Sequence, residues 1–207
     1  MTVRVLPYGD AALLVELADL DEVLAFADAV RSATPPEVVD VVPAARTVLV
    51  VAEPGADLTS LERSLLDLRP STSKAGPANA DDVLELPVHY DGPDLEEVAA
   101  VMELSVEELI SLHTGREWQV AFGGFAPGFG YLTRHDFTAT IPRREQPRTR
   151  VPAGAVGLAG RFSGVYPSAS PGGWQLIGRT DAVLWDVDRD PPSLIRPGSW
   201  VRFLPVS

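Results

Sequence analysis

A chain of 207 residues is long enough for one or two domains, and its apolar fraction of 45% and charged fraction of 22% exclude wholesale disorder. Seventeen basic against twenty-nine acidic side chains give a net charge of −12, which argues against general binding to nucleic acids or anionic membranes. The absence of cysteine excludes disulfides, thiolate catalysis and metals ligated by cysteine.

Short β-type runs alternate with amphipathic stretches through the first seventy residues. An apolar stripe from Leu20 to Val30 falls at helical spacing, and Thr59 followed by Glu62 predicts a capping box that opens a second helix. The predicted strands are Val3–Leu6, Ala12–Leu17, Val38–Val42 and Val48–Val51. The resulting order β-β-α-β-β-α predicts a small α+β sandwich domain over residues 1–70.

Residues 71–82 are small and polar, which predicts a linker to a second domain over residues 83–207. Val83–Val88 is a predicted strand, and Asp94-x-x-Glu97 and Ser105-x-x-Glu108 predict two capped helices, the second ending at Gly115. Beyond this glycine, Gly and Pro break short β-type runs every eight to twelve residues, up to a closing strand at 200–204. This pattern favours a mainly-β sandwich or barrel.

An island of positive charge interrupts this acidic chain. Residues 134–179 contain seven arginines and two acids, and four of the arginines, at positions 143, 144, 148 and 150, lie within eight residues. Prolines forbid a helix there, so the segment is extended and Arg148 and Arg150 share a face. Guanidiniums suit carboxylate or phosphate, which makes these residues candidates for anion binding. The alternative is a solvated loop paired with the many acids of the protein.

A glycine-rich stretch, residues 123–132, precedes the island. Its glycines admit positive φ and close backbone approach, so the loop can present the rings of Phe125 and Phe129 to a ligand. A tight barrel corner with both rings in the core is the alternative. Farther along, Arg179 and Thr180 form a polar pair at a predicted strand end, and Trp174 is expected in the core more than at a ligand.

Several catalytic motifs are missing. There is no phosphate-binding P-loop, the only lysine is Lys74, and there is no nucleophile elbow. The three histidines have no metal-ligand spacing, and no serine lies beside an evident general base. No apolar run approaches the roughly 20 residues of a membrane helix, and the N-terminus lacks an apolar signal core, so a cytoplasmic protein is expected. These residues predict an anion site without defining a reaction.

Three motifs identify a family resemblance. They are Gly-Phe-x-Pro-Gly-Phe-x-Tyr-Leu at 124–132, Pro-Arg-x-x-x-Pro-Arg-x-x-Val-Pro-x-Gly-x-Val-Gly at 142–157, and Ser-Pro-Gly-Gly-Trp-x-Leu-Ile-Gly-Arg-Thr at 170–180. Together with Gly9-Asp10 and the run after it, they resemble the allophanate hydrolase subunit 1 family, which includes the B component of 5-oxoprolinase and the kinase inhibitor KipI. The similarity extends over nearly the whole chain.

The resemblance implies an α+β N-terminal domain followed by a mainly-β, cyclophilin-like barrel. It implies a partner that resembles allophanate hydrolase subunit 2 or the C component of 5-oxoprolinase, in a heterodimer or heterotetramer, and a third subunit in the oxoprolinase branch. It implies ATP with magnesium as cofactor for opening a lactam or amide bond, although no nucleotide site is evident in the sequence. No nucleic-acid or membrane partner is expected.

The family motifs also select site residues. The resemblance implies catalytic roles for Arg143, Arg148, Arg179 and Thr180, and substrate binding by Phe125, Pro127, Phe129, Tyr131, Arg150, Tyr166 and Trp174. No metal ligand is expected. The chain departs from the usual family pattern at Phe162, where relatives usually have glutamine, at Gly130 in place of proline and at Ala155 in place of serine. The first of these changes removes an amide from the implied site.

Two hypotheses from different classes follow from the family. The first is an enzyme subunit that hydrolyses an amide or lactam bond with ATP, together with its partner. The second is a KipI-like regulator that binds a sensor histidine kinase and has no activity of its own, with Phe125 and Phe129 as exposed anchors. A scaffold that only stabilises subunit 2 is a third possibility.

Overall fold

The computed structural model describes residues 3–70, 77, 79 and 83–206, and the chain divides into two compact units, Met1–Gly76 and Pro77–Ser207. The predicted linker at 71–82 lies outside the described residues except for positions 77 and 79. Each unit has a hydrophobic core of its own.

The first unit is a four-stranded antiparallel sheet of order β1-β2-β4-β3 with two helices on one face. Its elements are β1 (Arg4–Pro7), β2 (Ala12–Glu16), α1 (Leu20–Ala33), β3 (Val38–Pro43), β4 (Thr47–Ala52) and α2 (Leu58–Asp67). Leu13 pairs with Val50 and Val15 with Val48, so these four side chains lie on the face that the helices cover. The predicted element order β-β-α-β-β-α is the observed one.

The two helices of this unit begin at aspartates. Asp19 caps α1 by accepting a 2.9 Å hydrogen bond from the backbone N–H of Glu22. The predicted capping box at Thr59 is wrong, because α2 starts earlier: Asp57 accepts from the N–H groups of Thr59 and Ser60 at 3.1 and 3.2 Å. A carboxylate two residues upstream therefore takes the capping role, and Thr59 lies inside the helix.

The second unit is a closed barrel of seven strands with a two-stranded sheet and two helices beside it. The barrel order is β10-β7-β6-β13-β5-β12-β9, and β11 pairs with β8. The elements are β5 (Val83–His89), α3 (Leu95–Val101), α4 (Val106–Thr114), β6 (Trp118–Gly123), β7 (Gly130–Thr133), β8 (Arg148–Val151), β9 (Ala155–Ala159), β10 (Phe162–Val165), β11 (Ser170–Gly172), β12 (Gln175–Arg179) and β13 (Trp200–Val206). Strand β13 closes the barrel between β5, to which it is parallel, and β6, to which it is antiparallel.

The two helices of this unit begin differently. Ser105 and Glu108 form the predicted capping box of α4, and this helix ends before Gly115 as expected. The box predicted at Asp94 does not form, because the Asp94 side chain makes no cap hydrogen bond to α3. Its carboxylate points to the barrel instead, where it contacts the arginine segment.

A buried polar chain crosses the core between α4 and the barrel. The His113 ring, 1% exposed, lies 2.6 Å from the Tyr90 hydroxyl through Nδ1 and 2.8 Å from the Ser163 hydroxyl through Nε2. It stacks on Phe203 with ring centroids 4.3 Å apart. Burial, with the nearby positive charge of Arg134, lowers the pKa of His113 from 6.5 to about 3, so the ring is neutral at physiological pH.

No helix in the described part of the chain is both long and apolar enough to cross a membrane.

Candidate functional site

The arginine segment lies along the edge of the barrel unit, held by backbone pairing. Arg148 is in register with Gly172, and the N–H of Arg144 donates to the carbonyl of Gly173 at 2.9 Å. The Arg143 guanidinium lies beside Gly173, with Nε within 3.7 Å of where a Cβ would be. The arginine segment therefore pairs through its backbone with residues 170–173.

Two of these arginines converge on one buried carboxylate. Asp94 Oδ1 accepts hydrogen bonds from Arg144 Nη1 at 2.8 Å and from Arg148 Nη2 at 2.7 Å. Its Oδ2 accepts a 2.6 Å hydrogen bond from the backbone N–H of Leu176. The Asp94 side chain is 3% exposed, against 31% for Arg144 and 22% for Arg148, so both pairs are largely shielded from solvent.

The protonation state of Asp94 follows from these contacts. Burial alone would raise the pKa of this carboxyl, but hydrogen bonds from Arg148 and the Leu176 N–H and the charges of both arginines outweigh it. The net effect holds the pKa of Asp94 below its usual 3.8. The carboxylate is therefore ionised wherever the barrel is folded near neutral pH, and it balances one of the two guanidinium charges.

An aromatic cluster forms the floor beside the arginines. Phe129 lies edge-on to Tyr131, Tyr166 and Trp174, with ring centroids 5.1, 5.5 and 5.4 Å apart. Phe129, Tyr166 and Trp174 are buried, and together they belong to a hydrophobic cluster separate from the barrel interior. Edge-to-face packing is a favoured arrangement of aromatic pairs, so the rings of the floor stabilise one another's positions.

Tyr166 links the floor to the cationic segment. Burial raises the pKa of its hydroxyl, while a hydrogen bond with the backbone of Trp174 and the charges of Arg143 and Arg148 act in the opposite direction. The hydroxyl packs against Gly172, which is the register partner of Arg148. Tyr166 therefore remains a neutral phenol beside the guanidiniums.

Phe125 occupies the tip of the glycine-rich loop and is exposed. It is 59% accessible, and its φ of +68° is in the left-handed region that favours glycine. Hydrogen bonds from the Phe129 N–H to Ala126 and from the Gly124 N–H to Phe129 close the loop around it. The ring lies 5.9 Å from that of Tyr166, at the outer rim of the aromatic floor, and Pro127 beside it is also exposed.

Three candidate residues make their side-chain contacts elsewhere, outside the cluster around Asp94. Arg179 is half-exposed and pairs with Asp91 at 2.9 Å, and it has no ion pair with a carboxylate of the arginine cluster among the described residues. Thr180 is 5% exposed, and its hydroxyl accepts from the Ala182 N–H at 3.3 Å. Arg150 is exposed and has no ion pair within the described ranges. The structure thus brings together Arg143, Arg148, Tyr166 and Trp174.

One arginine of the charge island has a structural position. Arg134 is 6% exposed, donates to the carbonyl of Leu112 at 2.7 Å and to Asp136 at 2.6 Å, and covers the ring of Trp118 at 4.9 Å. Its guanidinium is therefore engaged within the barrel core. The net charge of the island thus overstates the cations that face solvent.

Sequence reasoning missed Asp94 and the pairing of Ser163 with His113. The sequence pattern predicts Asp94 as a helix cap, whereas its contacts in the structure span 50 and 54 residues of sequence. The expectation that no serine lies beside a general base is wrong in geometry, since His113 Nε2 is 2.8 Å from Ser163 Oγ. Both side chains are at most 1% exposed, so no substrate reaches this pair.

The fold and the cluster define a class of protein: a small α+β unit joined to a seven-stranded barrel that carries arginines over an aromatic floor. The chain belongs to the family described as carboxyltransferase domain, subdomain C and D, whose model matches residues 3–195. The family identification made from the motifs is confirmed.

Named relatives agree with this family. The chain is 48% identical over 128 residues to the B component of 5-oxoprolinase from Bacillus subtilis, covering 60% of this chain and 53% of that protein. It is 51% identical over 125 residues to the B component of 5-oxoprolinase from Escherichia coli O157:H7, covering 59% of this chain and 57% of that protein. The matched region thus spans little more than half the length of these relatives.

Solved structures show the same fold. The protein PH0987 from Pyrococcus horikoshii is 36% identical, with a TM-score of 0.60, and the match covers 99% of this chain and 98% of that one. The Kluyveromyces lactis urea carboxylase has a TM-score of 0.72 at 20% identity, covering 99% of this chain and 22% of that one. The second likeness concerns the fold alone.

Proposed function

We propose that this chain is a subunit of an ATP-dependent hydrolase of amide or lactam bonds. It acts in complex with a partner that resembles allophanate hydrolase subunit 2 or the C component of 5-oxoprolinase, as a heterodimer or heterotetramer, with a third subunit in an oxoprolinase-type complex. The observation that carries the proposal is the convergence of Arg144 and Arg148 on Asp94 beside the aromatic floor, in a chain related to the B component of 5-oxoprolinase.

The cluster suits an organic acid with a planar ring. A lactam such as 5-oxoproline carries a carboxylate, for which guanidinium forks are the matching donors. Its ring offers a flat face for the exposed aromatic rim at Phe125. Positive charge at this surface also stabilises negative charge that develops on the amide oxygen when the bond is broken.

The donor set does not fit magnesium-bound ATP. Magnesium takes oxygen ligands, and the carboxylate oxygens of Asp94 already accept three hydrogen bonds. We therefore assign nucleotide binding to another subunit or to a shared surface, and derive no step through ATP on this chain.

The substitution Arg148→Ala tests the proposal in the reconstituted complex. Turnover of 5-oxoproline, followed as ADP release with the partner subunits present, is expected to fall at least about 100-fold, as for loss of a charged transition-state donor. Assembly with the partner, followed by size-exclusion chromatography, is expected to be unchanged. The matched control is Arg196→Ala, an exposed arginine of the same unit without an ion pair among the described residues.

Background activity in every combination of wild-type subunits, with other small amides and lactams also screened, would contradict the enzymatic proposal. Unchanged turnover in Arg148→Ala would instead remove this arginine from the site and leave the enzyme class intact. The two failures are thus separable.

The exposure of Phe125 favours one second candidate, a KipI-like regulator that grips a kinase helix. An exposed aromatic held at positive φ suits an anchor for a protein partner. Phe129 does not suit this role, since it is 3% exposed. Inhibition of a sensor histidine kinase by the purified chain, lost in Phe125→Ala and retained in Arg148→Ala, would favour the regulator over the enzyme subunit.

A further inference from the structure

The loop before α3 is fastened to the barrel at Asp94. The Asp94 N–H donates to the carbonyl of Leu176 at 3.0 Å, and the Leu176 N–H donates to Asp94 Oδ2 at 2.6 Å. Two residues earlier, Gly92 lies so close to β12 that a Cβ would overlap the backbone of Ile177. The position of this carboxylate is therefore fixed by the barrel itself.

The other carboxylate oxygen, Asp94 Oδ1, fixes the positions of two arginines. Because Arg144 Nη1 and Arg148 Nη2 both donate to Oδ1, the two guanidiniums are held side by side despite their like charge. Arg144 Nε and Arg148 Nη1 are buried and have no acceptor among the described residues. Asp94 thus occupies only part of the donor capacity of the two side chains.

A purely stabilising role explains this arrangement poorly. A buried ion pair gives little net stability, because the cost of removing the charges from water offsets their attraction. The segment also has backbone anchors of its own, at Gly172 and Gly173. What the carboxylate adds is the placement of two side chains that would otherwise extend into solvent.

We infer that Asp94 is the positioning residue of the arginine site, holding Arg144 and Arg148 in place for an anionic group, a carboxylate or a phosphate, bound beside Tyr166. The inference rests on the proposed function for the identity of its ligand, whereas the placement of the arginines does not depend on it. Asp94 is not a catalytic residue here, since it acts through the two guanidiniums.

Reactivity of individual arginines tests the placement on the full chain. Phenylglyoxal modification, read by peptide mass spectrometry, is expected to be slow at Arg144 and Arg148 and fast at the exposed Arg143 and Arg150. In Asp94→Asn the rates at Arg144 and Arg148 are expected to rise at least about tenfold, since a charge-assisted hydrogen bond is lost at each.

Two variants serve as controls for this experiment. Glu117→Gln removes a carboxylate that directly precedes β6 and pairs with Arg202. The modification of Arg144 and Arg148 should stay slow in this variant. Arg144→Gln removes one guanidinium but keeps the carboxylate, so Arg148 should stay slow. Circular dichroism verifies that each variant is folded, and Asp94→Ser replaces Asp94→Asn if the latter is not.

Added anions test the ligand of the site separately from the placement of the arginines. Addition of 5-oxoproline or of inorganic phosphate, in parallel samples, should further slow modification of Arg144 and Arg148, and of the neighbouring Arg143, in the wild type. Protection by one and not the other identifies the anion class, and Asp94→Asn should require at least about tenfold more of the same anion for equal protection. A lost carboxylate that acted only on stability would leave this anion concentration unchanged in the folded variant.

Equal Arg148 reactivity in the wild type and Asp94→Asn would overturn the positioning role, whatever the complex hydrolyses. Faster Arg148 modification in Asp94→Asn, without protection of the wild type by either anion, would overturn the anion site. Both expected results together with no hydrolytic activity in the complex would support the positioning role and contradict the proposed function alone.

Discussion

Acid should destabilise the barrel unit through His113. Its pKa is lowered to about 3 in the folded chain, while an unfolded histidine titrates near its ordinary value of 6.5. Between these two values the unfolded chain binds a proton that the folded chain does not, so stability decreases as the pH falls. One pKa unit corresponds to about 1.4 kcal/mol, so moving from about pH 7 to about pH 5 should cost about 2 kcal/mol of unfolding free energy.

The fluorescence of tryptophan offers a readout confined to this unit, because all four tryptophans, Trp118, Trp174, Trp185 and Trp200, lie after residue 77. Urea unfolding at the two pH values gives the difference directly. In His113→Gln the amide keeps a hydrogen-bonding group between Tyr90 and Ser163 but does not titrate. This variant should be less stable at neutral pH, since it loses the stack on the neighbouring ring, and should lack the histidine share of the acid sensitivity.

The measurement compares the wild type with His113→Gln under identical conditions at both pH values. Carboxylates also titrate in this range, so the informative quantity is the difference between wild type and variant. If His113→Gln and the wild type lost the same free energy between the two pH values, the argument that a neutral buried imidazole controls this sensitivity would be refuted.

The remaining predictions concern the loops and the floor of the site. Gly154→Ala should cost more than about 3 kcal/mol in thermal or urea unfolding, because its φ is +79° and a Cβ would overlap the Thr180 carbonyl; Gly160→Ala, at φ +56° in open space, should cost about 1 kcal/mol. Phe162→Gln should lower stability by about 1–2 kcal/mol through lost ring contacts, with turnover of the complex retained or raised. Phe125→Ala should change stability by less than about 1 kcal/mol, while turnover or partner binding, measured in the same preparation, falls at least about tenfold.

Local patterns predicted most elements of the first unit because one face of each is buried. In β4, Val48 and Val50 alternate with half-exposed residues, so the side-chain period marks the strand and its inner face. The stripe of α1 is equally direct, with Val23, Phe26 and Val30 buried at helical spacing. These are short-range signals, and the strand bounds that they predict differ from the observed ones by one residue or less.

Capping patterns predicted the helix starts less well. They identify residues that are able to cap a helix, but they do not show whether another residue takes the same N–H groups or the capping side chain itself. At α2 the competitor is local: Asp57 accepts the two N–H groups that start the helix before Thr59 is reached. At α3 the competitor is distant, since Arg144 and Arg148 attract the Asp94 carboxylate away from the helix end. Only Ser105, without a competing partner among the described residues, forms the box as predicted.

The residue types of the candidate site were predictable from the sequence, but the contacts between their side chains were not. The arginine segment and the glycine-rich loop stand out in the sequence, and the family motifs select Tyr166 and Trp174, which the structure places beside Arg143 and Arg148. The carboxylate that joins the arginines lies 50 or more residues away on another element. No local period or spacing carries that information, because it arises only when the barrel closes.

The four clustered arginines differ in burial, and the two that are mostly buried are the two that pair with a carboxylate. Arg144 and Arg148, which are mostly shielded, share Asp94, whereas Arg143 and Arg150 are exposed and have no ion pair among the described residues. Like charges repel least where water screens them, so the unpaired cations lie at the surface and the paired ones beneath. The exposed guanidinium of Arg143, which lies near Tyr166 of the aromatic cluster, is therefore presented where an anion arrives from solvent. On a protein of net charge −12, this is the polarity expected of a binding site and not of an average surface.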